Sequence, residues 1–361
     1  MRGKPISGRD DEFSLNRLRL FADWRINDDV RLFAEAIDAS SVGEDFSPRA
    51  TEVNRFDAQN LAVDLRLLAN DGGNQWWVRA GRQEMILGST RLVFRRPWRN
   101  TPQNFDGVRT WVSHDDSRFD AFWLKPIDVR QHAGGDTNFD RANSSQDFFG
   151  LFLTLPSEAD EIREAYYLGW NENDKSLVNF DGTTGGFSLH IFGGRLDKPL
   201  AEGLKFEIEG GLQFGRYSGD PHFAGFTVVG LRRKWANAAM NPEVAVYHDW
   251  ASGDDDFGDS HHGTFIAPFQ RGHYFFGFAD ITGRQNIHDV SARLSLAPRE
   301  GGEVRQSRRS RWARPRCRRA RSLRTRLRVS GFLAQPVRES WWQHLFLDAV
   351  VGCLAVGVNH E

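Results

Sequence analysis

The sequence predicts an all-β protein, a large antiparallel up-and-down transmembrane β-barrel, and three observations carry that reading. Short segments alternate apolar and polar residues, with arginine recurring on the polar side. A strand exposes successive side chains on opposite faces, so each segment has one greasy face and one charged face. Asp/Asn/Gly turns punctuate the segments, and short connections alternate with long ones through the first half of the chain. Outer-membrane barrels have that rhythm, with tight turns at one end and loops at the other. Finally, mean hydropathy is -0.53, and no run approaches the roughly 18 apolar residues of a membrane helix. A spanning strand needs only about 9–11 residues, half of them polar. A soluble sandwich would turn the greasy faces inward; a transmembrane barrel turns them to lipid and keeps the charged faces in a wet lumen.

The elements follow in order. Leu18, Leu20, Ala22, Trp24 and Ile26 against Arg17, Arg19, Asp23 and Arg25 define a strand over 13–26, closed by Asn27-Asp28-Asp29 before a strand over 30–39. After a long connection over 40–59, Leu61, Val63, Leu65 and Leu67 face away from Asp64 and Arg66 in a strand over 60–69. The turn Asn70-Asp71-Gly72-Gly73-Asn74 leads into 75–83, and a long connection over 84–106 into 107–114. His114-Asp115-Asp116-Ser117 turns the chain into 118–126, and 127–145 is again long. Strands follow over 146–156, 163–172, 186–196 and 204–217; in the last, Phe206, Ile208, Gly210, Leu212 and Phe214 face away from Lys205, Glu207, Glu209 and Gln213. The series ends with 223–235, 242–250, a long connection over 251–271, and strands over 272–281 and 287–297. No helical repeat and no βαβ alternation interrupts it, which sets α/β folds aside.

Composition agrees. Twelve Trp and 28 Phe would serve aromatic girdles at the two lipid interfaces. Both cysteines, Cys317 and Cys353, lie near the end of the chain, so no disulfide or Cys-based zinc framework underlies the main body. Met1–Asp10 is polar, without the apolar stretch of a secretory signal. An outer-membrane protein is expected to carry a signal peptide, which is missing here, and 1–12 is taken as a polar N-terminal segment. Enzyme motifs such as GxSxG, HExxH, the P-loop and CxxC are missing, so no catalytic residues are expected.

At Val78–Arg109 the sequence becomes specific. Val78-Arg79-Ala80-Gly81-Arg82-Gln83-Glu84-Met85 runs through Gly88 into Arg91-Leu92-Val93, then Arg95, Arg96 and Arg99, then Asn104-Phe105-Asp106-Gly107-Val108-Arg109. A second stretch joins Ala251-Ser252-Gly253-Asp254, Gly263-Thr264-Phe265, Pro268-Phe269 and Arg271-Gly272-His273-Tyr274-Phe275. Together these resemble the alginate-export family of bacterial outer-membrane β-barrels, over roughly residues 10–300. The resemblance implies a monomeric barrel in outer-membrane lipid that passes an anionic polysaccharide such as alginate, or a small acidic solute, by diffusion through an arginine-rich lumen. It implies no cofactor and no nucleic-acid partner.

The chemistry fits that implication. A polyanion needs a series of cationic sites, each strong enough to admit a carboxylate and weak enough to release it. Arginine keeps its charge when desolvated and grips carboxylates with a two-pronged fork. The candidate pathway residues are Arg17, Arg19, Arg31, Arg66, Arg79, Arg109 and Lys125 from strands. Arg82, Arg91, Arg95, Arg96 and Arg99 join them from a strand end and a loop expected to fold inward. Asp23, Glu35 and Asp64 would temper the field. Arg91–Arg99 packs four arginines into nine residues with few acids nearby, which predicts an anionic partner. The acidic loop Asp254-Asp255-Asp256 with Asp259, His261 and His262 fails the EF-hand template, because Gly258 is misplaced and Phe265 stands where the bidentate Glu belongs; no metal site is expected. The alternative function is a soluble or surface-attached all-β carbohydrate-binding protein, and a barrel-borne hydrolase is a third.

The tail departs from this pattern. Residues 305–361 carry 13 Arg against three acids, while 1–304 carry 34 basic and 45 acidic residues. Such a shift marks a boundary, so the barrel domain is set at 13–300 and 301–361 is an anomalous Arg-rich tail, read as translated out of frame in preference to a basic arm for nucleic acid or anionic lipid. On that reading the barrel is incomplete at its C-terminal end.

Overall fold

The computed structural model describes residues 13–43, 49–70, 72–129, 139–157, 160–179, 182–254, 259–277 and 282–296, with the backbone of 325–333 and 345–350. The strands are β1 Ser14–Arg25, β2 Val30–Val42, β3 Asn54–Ala69, β4 Gln75–Gln83, β5 Phe105–His114, β6 Ser117–Asp128, β7 Arg141–Ala142 and β8 Gln146–Leu155. They continue with β9 Ile162–Glu172, β10 Phe187–Ala201, β11 Leu204–Tyr217, β12 Asp220–Lys234, β13 Glu243–Ala251, β14 Ile287–Leu296, β15 Thr325–Leu333 and β16 Leu345–Val350. All belong to one sheet in which each strand pairs with the next in sequence, the two-residue β7 standing aside against β6. Every pair is antiparallel, so the chain is an up-and-down meander. The sheet runs past residue 300 through β15 and β16; the segments 1–12 and 301–324 lie outside the described residues.

One expected strand is absent. Gly272–Phe276, inside the segment expected as a strand over 272–281, is a five-residue helix, α1; 278–281 lie outside the described residues. The physical reason lies in packing. Phe275 and Phe276 are buried among the apolar residues of an inward-folded loop cluster, so their alternation serves that cluster and not a ladder of sheet hydrogen bonds.

The connections sort by end. Those at 43–53, 84–104, 129–145, 173–186 and 252–286 lie at one end of the sheet, and those at 26–29, 70–74, 115–116, 156–161, 202–203 and 235–242 lie at the other. Among the connections from β1 to β14, the tight turn at Ser218-Gly219 breaks the rhythm, joining β11 to β12 at the long-loop end.

Burial is inverted relative to a water-soluble protein. In β11, Glu209 is 3% exposed and Gln213 0%, while Leu212 is 57% exposed. Along β3, Asp64 is buried and Leu61 and Leu65 are exposed. Bare Leu18, Leu20, Trp24, Trp123, Phe192 and Phe223 extend the same outward apolar face across the sheet. A sandwich would pack those faces together, so the soluble reading fails on this point. An apolar exterior over a polar interior is what lipid around a wet lumen demands. Among the described residues no helix is long and apolar enough to cross a membrane.

The sheet wraps around its own loops. Arg17 Nη1, on β1, donates to Pro97 O at 3.1 Å, and Asn100 Nδ2 donates to Asn16 O and Ser40 O at 3.1 and 3.2 Å. The same 84–104 loop sends Arg91 to Glu207 and Glu209 on β11, both at 2.6 Å. A segment that touches β1, β2 and β11 together requires the sheet to curl around it. Gly81 and Gly107, paired across β4 and β5 where this loop departs, have φ of 119° and 153°. A Cβ there would stand 2.2 Å from Leu61 O and 2.3 Å from Trp123 O, so only glycine permits the bend.

Candidate substrate pathway in the barrel lumen

Two loops fill the middle of the lumen as one body. Val93 and Phe269 form a parallel bridge, with Phe94 N donating to Phe269 O and Phe269 N to Leu92 O, both at 2.9 Å. Met85, Leu92, Val93, Phe265 and Phe269 pack with the inward Phe105 and Phe148 of the wall. Arg91 is 4% exposed and bridges Glu207 and Glu209. Burial opposes its charge, yet the two carboxylates outweigh burial and hold its pKa above the ordinary arginine value. Arg284 Nε and Nη2 grip Asp249 at 3.0 and 2.5 Å, and its Nη1 donates to Arg91 O at 3.0 Å.

Two tyrosines reach the same acids across glycines. The Tyr247 ring lies over Gly230, whose built Cβ would stand 2.2 Å from it, and the hydroxyl donates to Glu207 Oε2 at 3.0 Å. Tyr166 crosses Gly193 in the same way toward Glu209. Gly230→Val is therefore expected to lift the Tyr247 ring from Glu207 and to cost about 1–3 kcal/mol by overpacking. Urea titration of the vesicle-folded protein measures this; an unchanged midpoint would show that the ring does not need the glycine.

Below the plug, toward the short-turn end, the wall carries arginines paired with aspartates. Arg31, Asp64, Arg79 and Arg109 stand in one cross-strand row of β2 to β5. Arg79 forks onto Asp64 at 2.6 and 2.7 Å, and Arg31 joins Asp64 at 2.9 Å and Asp23 at 2.7 Å. Arg109 and Arg118 share Asp120 at 2.8 and 2.7 Å, and Arg66 holds Asp29 at 2.7 Å. Fixed carboxylates aim these guanidiniums while part of each stays open: Arg31 and Arg79 are each 24% exposed. Nearer the plug, Arg19 meets Glu35 at 2.5 Å and Glu84 at 3.0 Å, and Arg95 meets Glu84 at 3.0 Å. Arg17 donates to the carbonyls of Pro97 and Arg99. Arg96 donates to Gln270 O and Pro268 O, and Arg99 lies over Trp98.

Two candidates lie elsewhere. Arg82 and Lys125 fall with Leu61 and Asp106 in one cross-strand row on the outward parity, toward the long-loop end. Arg82 pairs with Asp57 and Asp106, and Lys125 with Asp147. The structure does not bring them together with the inward arginines. Each precedes a long connection, and strand parity, not arginine density, decides its side.

The expectation that Arg91–Arg99, with few acids nearby, needs an outside anion meets acids supplied by the fold. Glu84 is close in sequence, but Glu207 and Glu209 arrive from β11, more than 110 residues away. Sequence reasoning did not single out Arg195, Arg232, Arg284 or Arg293. Arg195 joins Glu207, Glu164 and Asp197, and Arg232 joins Asp197. Arg293 lies over the Tyr247 and Tyr274 rings at 5.4 and 4.9 Å. Strand parity could have found all but Arg284, which sits in a turn.

No group of three or more His, Cys, Asp or Glu among the described residues is placed to hold a metal ion. In the acidic loop Asp254 accepts Gly263 N, His262 faces His222 with Nδ1 atoms 2.8 Å apart, and Asp255 and Asp256 lie outside the described residues.

The alginate export family matches residues 4–312, most of the chain. No curated protein matches it in sequence. Among solved structures, OccAB1 of Acinetobacter baumannii is similar at 11% identity and a TM-score of 0.45, over 92% of this chain and 82% of that one. OccD3 (OpdP) of Pseudomonas aeruginosa is similar at 9% identity and a TM-score of 0.42, over 91% and 83%. OccK8 (OprE) of the same organism is similar at 12% identity and a TM-score of 0.42, over 92% and 91%. With an apolar exterior, a charged lumen and a family match over most of its length, the chain belongs to the alginate export family and is a porin-like β-barrel of the bacterial outer membrane.

Proposed function

We propose that this barrel passes anionic saccharides, alginate-like polyuronates or related sugar acids, by passive diffusion along its inward arginines. The observation that carries the proposal is the row Arg31–Asp64–Arg79–Arg109, whose guanidiniums are aimed by carboxylates and remain part-exposed. A passing carboxylate exchanges water for one fork of a guanidinium and moves to the next without an energy source. Arg17, Arg19, Arg66 and Arg95 extend the series; Arg91 is read as the anchor of the plug, because it is buried. The barrel works as a monomer, without cofactor or catalytic step.

Reversal potentials across planar bilayers test this. Wild-type pores are expected to prefer anions. Arg79→Ala removes one unit charge at wall distance, about 1 kcal/mol in watery surroundings, or about fivefold in anion occupancy. Wild-type pores that preferred cations would overturn the reading.

A further inference from the structure

Trp77 and Trp111 stand on the inward parity of β4 and β5, directly paired, with ring centroids 6.2 Å apart and planes 9° from parallel. A girdle at the lipid interface accounts for outward tryptophans such as Trp24, Trp76 and Trp123. It does not account for a pair that faces the lumen. Both rings are part-exposed, and guanidiniums surround them. Arg66 lies over Trp77 at 5.6 Å, and Arg79, Arg109 and Arg118 lie over Trp111 at 5.8, 5.7 and 5.0 Å. Arg109 and Arg118 divide the single Asp120 carboxylate between them, which leaves positive charge in excess beside the ring.

This pairing of flat apolar surface and fixed cation suits one ligand chemistry. A pyranose ring carrying a carboxylate presents C–H groups on one face and an anion at its edge. It can lie against the indoles while its carboxylate meets a guanidinium. An acyclic acid of equal charge uses the guanidiniums alone. We infer that the short-turn end of the lumen holds a stacking subsite for sugar acids, built from Trp77 and Trp111 with Arg66, Arg79, Arg109 and Arg118. The inference rests on the anion pathway proposed above and narrows its solute to cyclic uronates.

Current block by trigalacturonate and by tricarballylate, two trianions of which only the first has sugar rings, tests it in planar bilayers. In the W77A/W111A double variant the trigalacturonate residence time is expected to fall about tenfold, as for loss of two aromatic surfaces. Tricarballylate block is expected to keep its wild-type residence time. W77F/W111F keeps flat apolar faces and is expected to retain the trigalacturonate block, which separates lost stacking from a damaged fold. An equal fall with both probes, or no fall with trigalacturonate, overturns the subsite. Failure of wild-type pores to select anions would instead overturn the pathway on which it rests.

Discussion

Arg91→Ala will destabilise the folded barrel by about 3–5 kcal/mol, the cost of removing one partner from a buried ionic cluster. Among the described residues, Arg91 is the one group that binds Glu207 and Glu209 together. Without it two buried carboxylates, two residues apart on the same face of β11, stand beside each other. Arg195 still reaches Glu207 at 3.0 Å, so the lower part of the range is the safer expectation. The loop loses its tie to β11 as well, and single-pore conductance is expected to rise. The temperature at which the folded band converts on SDS gels reads the first effect, and bilayer recording reads the second. A variant with wild-type values in both would show that the apolar packing around Val93 and Phe269 holds the plug unaided.

Leu212→Arg separates lipid from water on the outer face. Leu212 sits on the outward parity of β11, between Phe192 and Gly225 on its neighbours. A guanidinium at that depth in a bilayer costs about 2–4 kcal/mol. On a surface bathed in water the same change usually stays within about 0.5 kcal/mol. Urea titration of folding into lipid vesicles measures the difference, and a cost near zero would deny that this face meets acyl chains. Gln213→Leu, one residue away on the wall's inner side, is expected to fail differently. It strips the hydrogen bonds that Gln213 makes to the backbone of Ile266 on the inward loop.

Much of the fold could be read directly from residue order. Period-two alternation needs no distant information: Leu61, Leu65 and Asp64 declare their two faces within one strand. Alternation fails at Gly272–Phe276 because the rule cannot distinguish aromatic residues packing in a loop cluster from aromatic residues on a sheet. The candidate pathway was legible in part. Arg31, Arg66, Arg79 and Arg109 point inward by parity, while Arg82 and Lys125 were nominated for their charge although their parity is outward. The acids that neutralise Arg91 were beyond reach, because Glu207 and Glu209 meet it only after the sheet has curled. The same holds for Tyr247, whose reach to Glu207 depends on Gly230 in the strand between them.

The backbone bridge between Val93 and Phe269 has a consequence for the current through the pore. Two unconnected obstructions could swing aside one at a time, and a recorded current would step through intermediate levels. Here the stretches around Val93 and Phe269 share main-chain hydrogen bonds and a single apolar core. Neither half can leave without exposing the other's unpaired N–H and C=O groups. Any opening that displaces this body is expected to be all-or-none, so traces from one pore should show two levels with abrupt transitions between them.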